Sequence, residues 1–199
     1  MELREYAEGL LYGASLQHKL ERPGALTDER PGIAVEAPEQ PGRSRRTAFE
    51  ADRRARQSPN LKRLEQASSR AALLHHFANH ELLAIELMAL CLLRFPEAPP
   101  AFRQSLIASI EEEQRHFQLY QKQLRRLGVD FGDLPVNDFF WRHLRGMRSL
   151  QEFTAVMGLT FEQANLDYMS HYIAAFQKIG ESEITAVLEV VLRDEIGHV

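Results

Sequence analysis

From about residue 61 onward the chain takes on a long, helical and strongly apolar pattern, and the first break in it is Phe95-Pro96-Glu97-Ala98-Pro99-Pro100. Proline rings cannot continue a helix, so this cluster forces a turn. A second helical run covers about 100–127 and stops at Gly128, a third covers about 149–179 and stops at Gly180, and a fourth runs from Ser182 to the terminus. Between the second and third lies a connection, 129–148, carrying Phe131, Phe139, Phe140 and Trp141, which need a surface to bury against. Its length suits a crossover, and no strand pattern competes. The expected fold is all-α: a four-helix bundle of two helical hairpins joined by one long crossover.

The first 60 residues read differently. Leu3, Tyr6, Leu10 and Leu16 fall roughly on one face, predicting a short amphipathic helix over 2–20 that needs a partner surface. From 21 to 44 come Pro23, Pro31, Pro38 and Pro41 with Gly24, Gly32 and Gly42, a composition that breaks both helix and sheet. The division expected is therefore 1–60 as an N-terminal helix and proline-rich arm lying over the bundle, and 61–199 as the bundle itself. Between 42 and 63, Arg43, Arg45, Arg46, Arg53, Arg54, Arg56, Lys62 and Arg63 face only Glu50 and Asp52. This predicts a solvated basic segment pairing with the acidic remainder, with a polyanion contact as the second reading.

A net charge of -4 and a pI near 6.1 give no overall attraction to nucleic acid or anionic lipid. Cys91 is the only cysteine, which excludes an internal disulfide and a cysteine-based metal cluster. The acidic start MELREYAEGL lacks the basic and apolar regions of a secretory signal, and the apolar stretch 82–93 is broken by Glu86 and too short to span a bilayer. A cytoplasmic protein with no membrane contact is expected.

Within the helices sit two Glu-x-x-His spacings, Glu113-Gln114-Arg115-His116 and Glu195-Ile196-Gly197-His198. Residues three apart share a helix face, so each pair can reach one metal pair. Glu is common in this chain and the spacing alone is weak, but position makes it informative. Glu113 lies among Leu106, Ile110, Phe117, Tyr120 and Leu124 at helical spacing, and Glu195 follows Ile184, Leu188, Val191 and Leu192 in the same way. Core carboxylates are costly unless neutralised, paired or bound to metal. Such a site also needs one Glu from each remaining helix at the same height. Glu81 and Glu113 are equidistant from the first turn, whereas Glu86 sits about five residues nearer to it, roughly 7 Å along the axis. Glu162 is level with Glu195 within about one turn, on a stripe with Ala155, Leu159, Leu166, Met169 and Ile173.

The metal-ligating set expected is thus Glu81, Glu113, His116, Glu162, Glu195 and His198, holding two iron ions, with manganese as the alternative, because carboxylate and imidazole are hard to borderline donors. Asp194 and Glu112, rotated about 100° from their neighbouring ligands, are expected to support the site or to pair between helices. His75, His76 and His80 are expected at the surface or behind the ligands, and Tyr120 and Tyr168 as core tyrosines near the site.

The runs His75-His76-Phe77-Ala78-Asn79-His80-Glu81-Leu82-Leu83-Ala84-Ile85-Glu86-Leu87, Gly132-Asp133-Leu134-Pro135-Val136-Asn137-Asp138-Phe139-Phe140-Trp141, Leu159-Thr160-Phe161-Glu162-Gln163-Ala164-Asn165-Leu166-Asp167 and Arg193-Asp194-Glu195-Ile196-Gly197-His198-Val199 resemble the ferritin-like family catalogued as domain of unknown function 455. The resemblance implies a ferritin-like di-metal fold, distantly similar to the di-iron hydroxylase that acts on a modified adenosine of transfer RNA. Its members continue past the Asp-Glu-Ile-Gly-His-Val run, so the expectation for this chain is an asymmetric site, looser at Glu195 and His198 than at Glu113 and His116. Three functions follow as expectations. The first is an O2-activating oxidase or monooxygenase on a small-molecule or RNA substrate, served by an electron donor. The second is a non-catalytic or ferroxidase-type iron binder, and the third a bundle whose metal is structural. A homodimer is open to any of them.

Overall fold

The computed structural model describes residues 1–49, 63–158 and 163–196. Among these there are eight helices and no strand. The central element is α3 (Ala67–Arg94), whose residues from Glu81 to Leu93 are all buried, whichever way they point. A helix can be apolar all round only if something covers every side. Here α4 (Pro100–Arg126) folds back along one side as a hairpin, α1 (Leu3–Tyr12) lies along another, and α5 (Phe139–Leu144), inside the crossover, covers part of the rest. That coverage explains why Ala67–Arg94, among the described residues the one helix long and apolar enough to cross a membrane, has 89% of its most apolar window buried. The second hairpin pairs α7 (Gln163–Lys178) with α8 (Ser182–Glu195), and α8 packs on α4. Between the hairpins the chain forms α5 and α6 (Leu150–Val156).

The hairpin turns follow from local chemistry. Pro100 at the first position of α4 costs no hydrogen bond, since that N–H has no helical partner anyway. Gly128 and Gly180 close α4 and α7 with φ of 77° and 75°, the left-handed region that favours glycine. In the crossover, Phe131 is buried and stacks on the His75 ring at 4.8 Å, and Trp141 is buried with its indole N–H donating to the Glu39 carbonyl. The aromatic residues of the connection therefore do find a surface, except Phe139, which is 46% exposed.

Three sequence expectations need correction. The single N-terminal helix is two: α1 ends at Gly13, and Ser15 caps a separate short α2 (Leu16–Lys19) by accepting from the His18 N–H. The expected third helix over 149–179 is described in two pieces, α6, which gives way after Val156 to a π-type turn at Met157 and Gly158, and α7 from Gln163, with 159–162 outside the described residues. The extra residue of such a turn resets the helical phase. Ala155, expected on the inward stripe, is exposed, and Phe153 and Met157 are buried instead. Finally, Arg43 does not belong to a solvated basic segment: its side chain is 2% exposed and its guanidinium grips Glu86. Arg46 pairs with Asp133 as expected, while Arg53, Arg54, Arg56 and Lys62 lie outside the described residues.

Candidate metal centre

Glu81 on α3, Glu113 and His116 on α4, and Glu195 on α8 each offer one ligand atom, all four atoms lying within 4.8 Å of one another, and all four residues are buried. The fold brings them together because the α3–α4 hairpin sets Glu81 level with Glu113, and the packing of α8 on α4 delivers Glu195 to the same height. Of the other two expected residues, Glu162 and His198 lie outside the described residues, and so does the comparison of the two halves of the site.

The electrostatics are those of three buried carboxyl groups gathered around one imidazole. Burial, then the neighbouring charges of Glu113 and Glu195, push the Glu81 carboxyl well above its ordinary range, and Glu81 shares a hydrogen bond with Glu113. Two carboxyl groups that close must share a proton or a cation. Burial favours the neutral form of the His116 imidazole, but the surrounding carboxylates of Glu113, Asp194 and Glu195 outweigh it and raise its pKa. The Nδ1 atom of His116 faces Glu113 at 3.3 Å and Glu195 at 3.6 Å, while Nε2 meets the Asp194 carboxylate at 3.1 Å. Asp194 in turn pairs with Arg115. The four residues from Glu113 to His116 thus face three ways: Glu113 and His116 inward, Arg115 across to Asp194 on α8, and Gln114 outward to the N-terminal arm, donating to the Tyr6 hydroxyl and the Lys19 and Glu21 carbonyls.

Glu86 shows why the choice of Glu81 matters. Five residues further along a helix rotate a side chain by about 140° as well as raising it, and Glu86 accordingly faces the arm, not the cluster. It is fully buried, bonded by the Lys19 ammonium at 2.7 Å and by Arg43 at 2.6 Å. Its charge is already matched. A buried carboxylate with its own cations can be told from one without only after the arm is placed in space.

A cavity of about 20 Å³, room for about one water molecule, adjoins the cluster, walled by Phe77, His80, Tyr120, Met169, Tyr172 and Val191 beside Glu81 and Glu195. All four long helices contribute. Burial depresses the His80 imidazole well below its ordinary value and the nearby His76 adds to this, so it stands neutral in the wall. His75 and His76 are committed elsewhere: the Nε2 of His75 accepts from the Gly132 N–H, and His76 contacts Asn137. Tyr168 is 62% exposed and takes no part. Tyr172 and Phe77, which touch edge to face at 5.0 Å, were not singled out in the sequence, where they read only as aromatic positions on helices.

The arrangement defines a class: an all-helical chain with a buried acid and imidazole cluster able to hold a metal ion. Residues 11–199 match the family described as Protein of unknown function (DUF455), and the chain belongs to that family. It is 28% identical over 137 residues to an uncharacterized protein of Haemophilus influenzae, an alignment covering 65% of this chain and 48% of that protein, so the chain spans about half its relative's length. No solved structure matches.

Proposed function

We propose that this chain is a ferritin-like di-metal carboxylate protein, most simply a di-iron one, whose second metal position is completed by Glu162 and His198. The observation that carries the reading is the convergence of Glu81, Glu113, His116 and Glu195 within 4.8 Å in the interior. The donors fit the group: three carboxylates offset the charge of hard cations, and one imidazole adds a borderline donor. Asp194 engages His116 Nε2 and so leaves Nδ1 to the cluster, while Arg115 holds Asp194. The aromatic and aliphatic wall keeps bulk water from the carboxylates. Bound iron would supply a redox centre for oxygen chemistry. An oxidase or monooxygenase acting on a small molecule or RNA, with a separate electron donor, is the function we assign first.

The size of the cavity among the described residues favours a second reading, an iron binder or ferroxidase whose substrate is the ion itself. Elemental analysis of the purified protein tests the shared premise, with up to two iron or manganese ions per chain expected. Protein that is metal-free and takes up no ferrous iron under reducing conditions would refute it. Oxygen consumption that depends on an added organic or RNA substrate separates the oxygenase from the ferroxidase, which consumes oxygen with ferrous iron alone.

A further inference from the structure

Tyr120 is 0% exposed, yet among the described residues its hydroxyl has no hydrogen-bond partner. It stands on α4 one helical turn beyond His116, with its ring against Phe77 at 5.4 Å, and it walls the small cavity together with Glu81 and Glu195. Packing alone would be served better by phenylalanine, because a buried hydroxyl that gives up water and gains nothing is unfavourable. A polar atom kept in such a place, on the edge of a water-sized space beside a metal-binding cluster, has an obvious use: it bonds whatever occupies that space.

We propose that Tyr120 is a positioning residue of the centre, its hydroxyl donating a hydrogen bond to a small exogenous ligand of water or dioxygen size held between Glu81, Glu195 and the aromatic wall. The proposal rests on the metal-centre reading and adds to it the place and the size of the ligand. The cavity's carboxylates, Glu81 and Glu195, offer acceptors; of the two wall residues that carry a hydroxyl, Tyr120 and Tyr172, Tyr120 is the fully buried one, and its hydroxyl lacks a hydrogen-bond partner among the described residues. Phe77, Met169, Tyr172 and Val191 close the remaining sides and select against bulk.

Azide is a suitable probe, since its bonded atom is water-sized and its complex with ferric iron absorbs in the visible range. The iron-loaded wild type and the Tyr120→Phe variant are titrated with azide, and iron content is measured in both. The expected result is equal iron content, with azide binding weakened about tenfold in the variant, the effect of one hydrogen bond to an anionic acceptor. The metal-free variant should unfold at the same temperature as wild type or higher, because the lost hydroxyl had no partner. Equal azide affinity in the two proteins would overturn the proposal. So would a visible charge-transfer band present without azide and lost in Tyr120→Phe, which would make the phenolate a direct metal ligand, and so would a marked loss of stability in the metal-free variant. If wild type takes up no iron, the metal-centre reading itself falls; if it loads normally and ignores the substitution, only the role of Tyr120 falls.

Discussion

Glu81 and Glu86 stand five residues apart on α3, both buried, and the difference between them is the company each keeps. Glu81 has Glu113 and Glu195 as neighbours, and Glu86 has Lys19 and Arg43. Opposite consequences follow on substitution. Glu81→Ala should abolish tight metal uptake while leaving the metal-free protein as stable or more so, since it relieves carboxylate repulsion. Glu86→Ala should cost about 3–5 kcal/mol by stranding two buried cations, and Glu86→Gln should spare metal binding. Ferrous titration and urea unfolding of the three variants check this, and equal metal loss in Glu86→Gln would show that the wrong carboxylate was chosen. His75 gives a pH test. Burial lowers its pKa from 6.5 to about 4, partly opposed by Asp133. Between those values the unfolded chain binds the extra proton, so stability falls as pH drops from about 6.5 to about 4, by at most about 1.4 kcal/mol per pH unit. His75→Gln, which keeps an acceptor for the Gly132 N–H, should flatten part of that slope in unfolding midpoints measured from pH 7 to 4.5.

At the scale of elements, the N-terminal arm is as much a part of the interior as the hairpins are. Leu3, Tyr6, Ala7, Leu10 and Leu11 of α1 are buried, and the chain returns to α1 at Gly42, whose N–H donates to the Leu11 carbonyl at 2.7 Å. A Cβ at Gly42 would lie 1.9 Å from the backbone oxygen of Tyr12, so nothing larger fits without moving the backbone. Gly42→Ala should therefore separate the arm from α1 and destabilise the protein by roughly 1–3 kcal/mol. Cleavage by trypsin at the arm's arginines should accelerate in parallel, because Arg43 can no longer hold Glu86. Ala substitution at Gly24, where a Cβ meets nothing within 4 Å, serves as the control.

For the whole molecule, a metal that binds only the folded chain must stabilise it. At a free concentration one hundred times its dissociation constant the gain is about 2.7 kcal/mol, which for a chain of this size raises the unfolding temperature by roughly 5–10 °C. Ferrous or manganous ions added anaerobically should produce that shift in differential scanning calorimetry. Glu81→Ala should remove it, and Glu86→Gln should retain it. A shift that survives loss of Glu81 would place the metal elsewhere.

The helices, the two hairpin turns and the inward carboxylates were legible in the sequence because each is set by chemistry within a few residues. Proline cannot continue a helix, glycine alone reaches the left-handed turn cheaply, and a 3.6-residue period puts Glu113 and His116 on one face. The level heights of Glu81 and Glu113 followed from counting along the first hairpin, because helical rise is constant, whereas Glu195 joins them through the packing of α8 on α4. What the sequence could not reveal depends on contacts between residues far apart in the chain. The π-type turn at Met157 and Gly158 is a phase shift in a run whose apolar residues look continuous when read in order. The burial of Arg43 and Lys19 against Glu86 joins positions 43 and 67 residues apart. The sequence predicts that Asp194 supports the site or pairs between helices, but its particular partners, His116 and Arg115, and a Tyr120 hydroxyl with no partner among the described residues, exist only once α4 and α8 are packed. Local sequence determines which way a side chain points along its own helix; only the tertiary structure decides what it meets there, because partners, and therefore charges, are supplied by other elements.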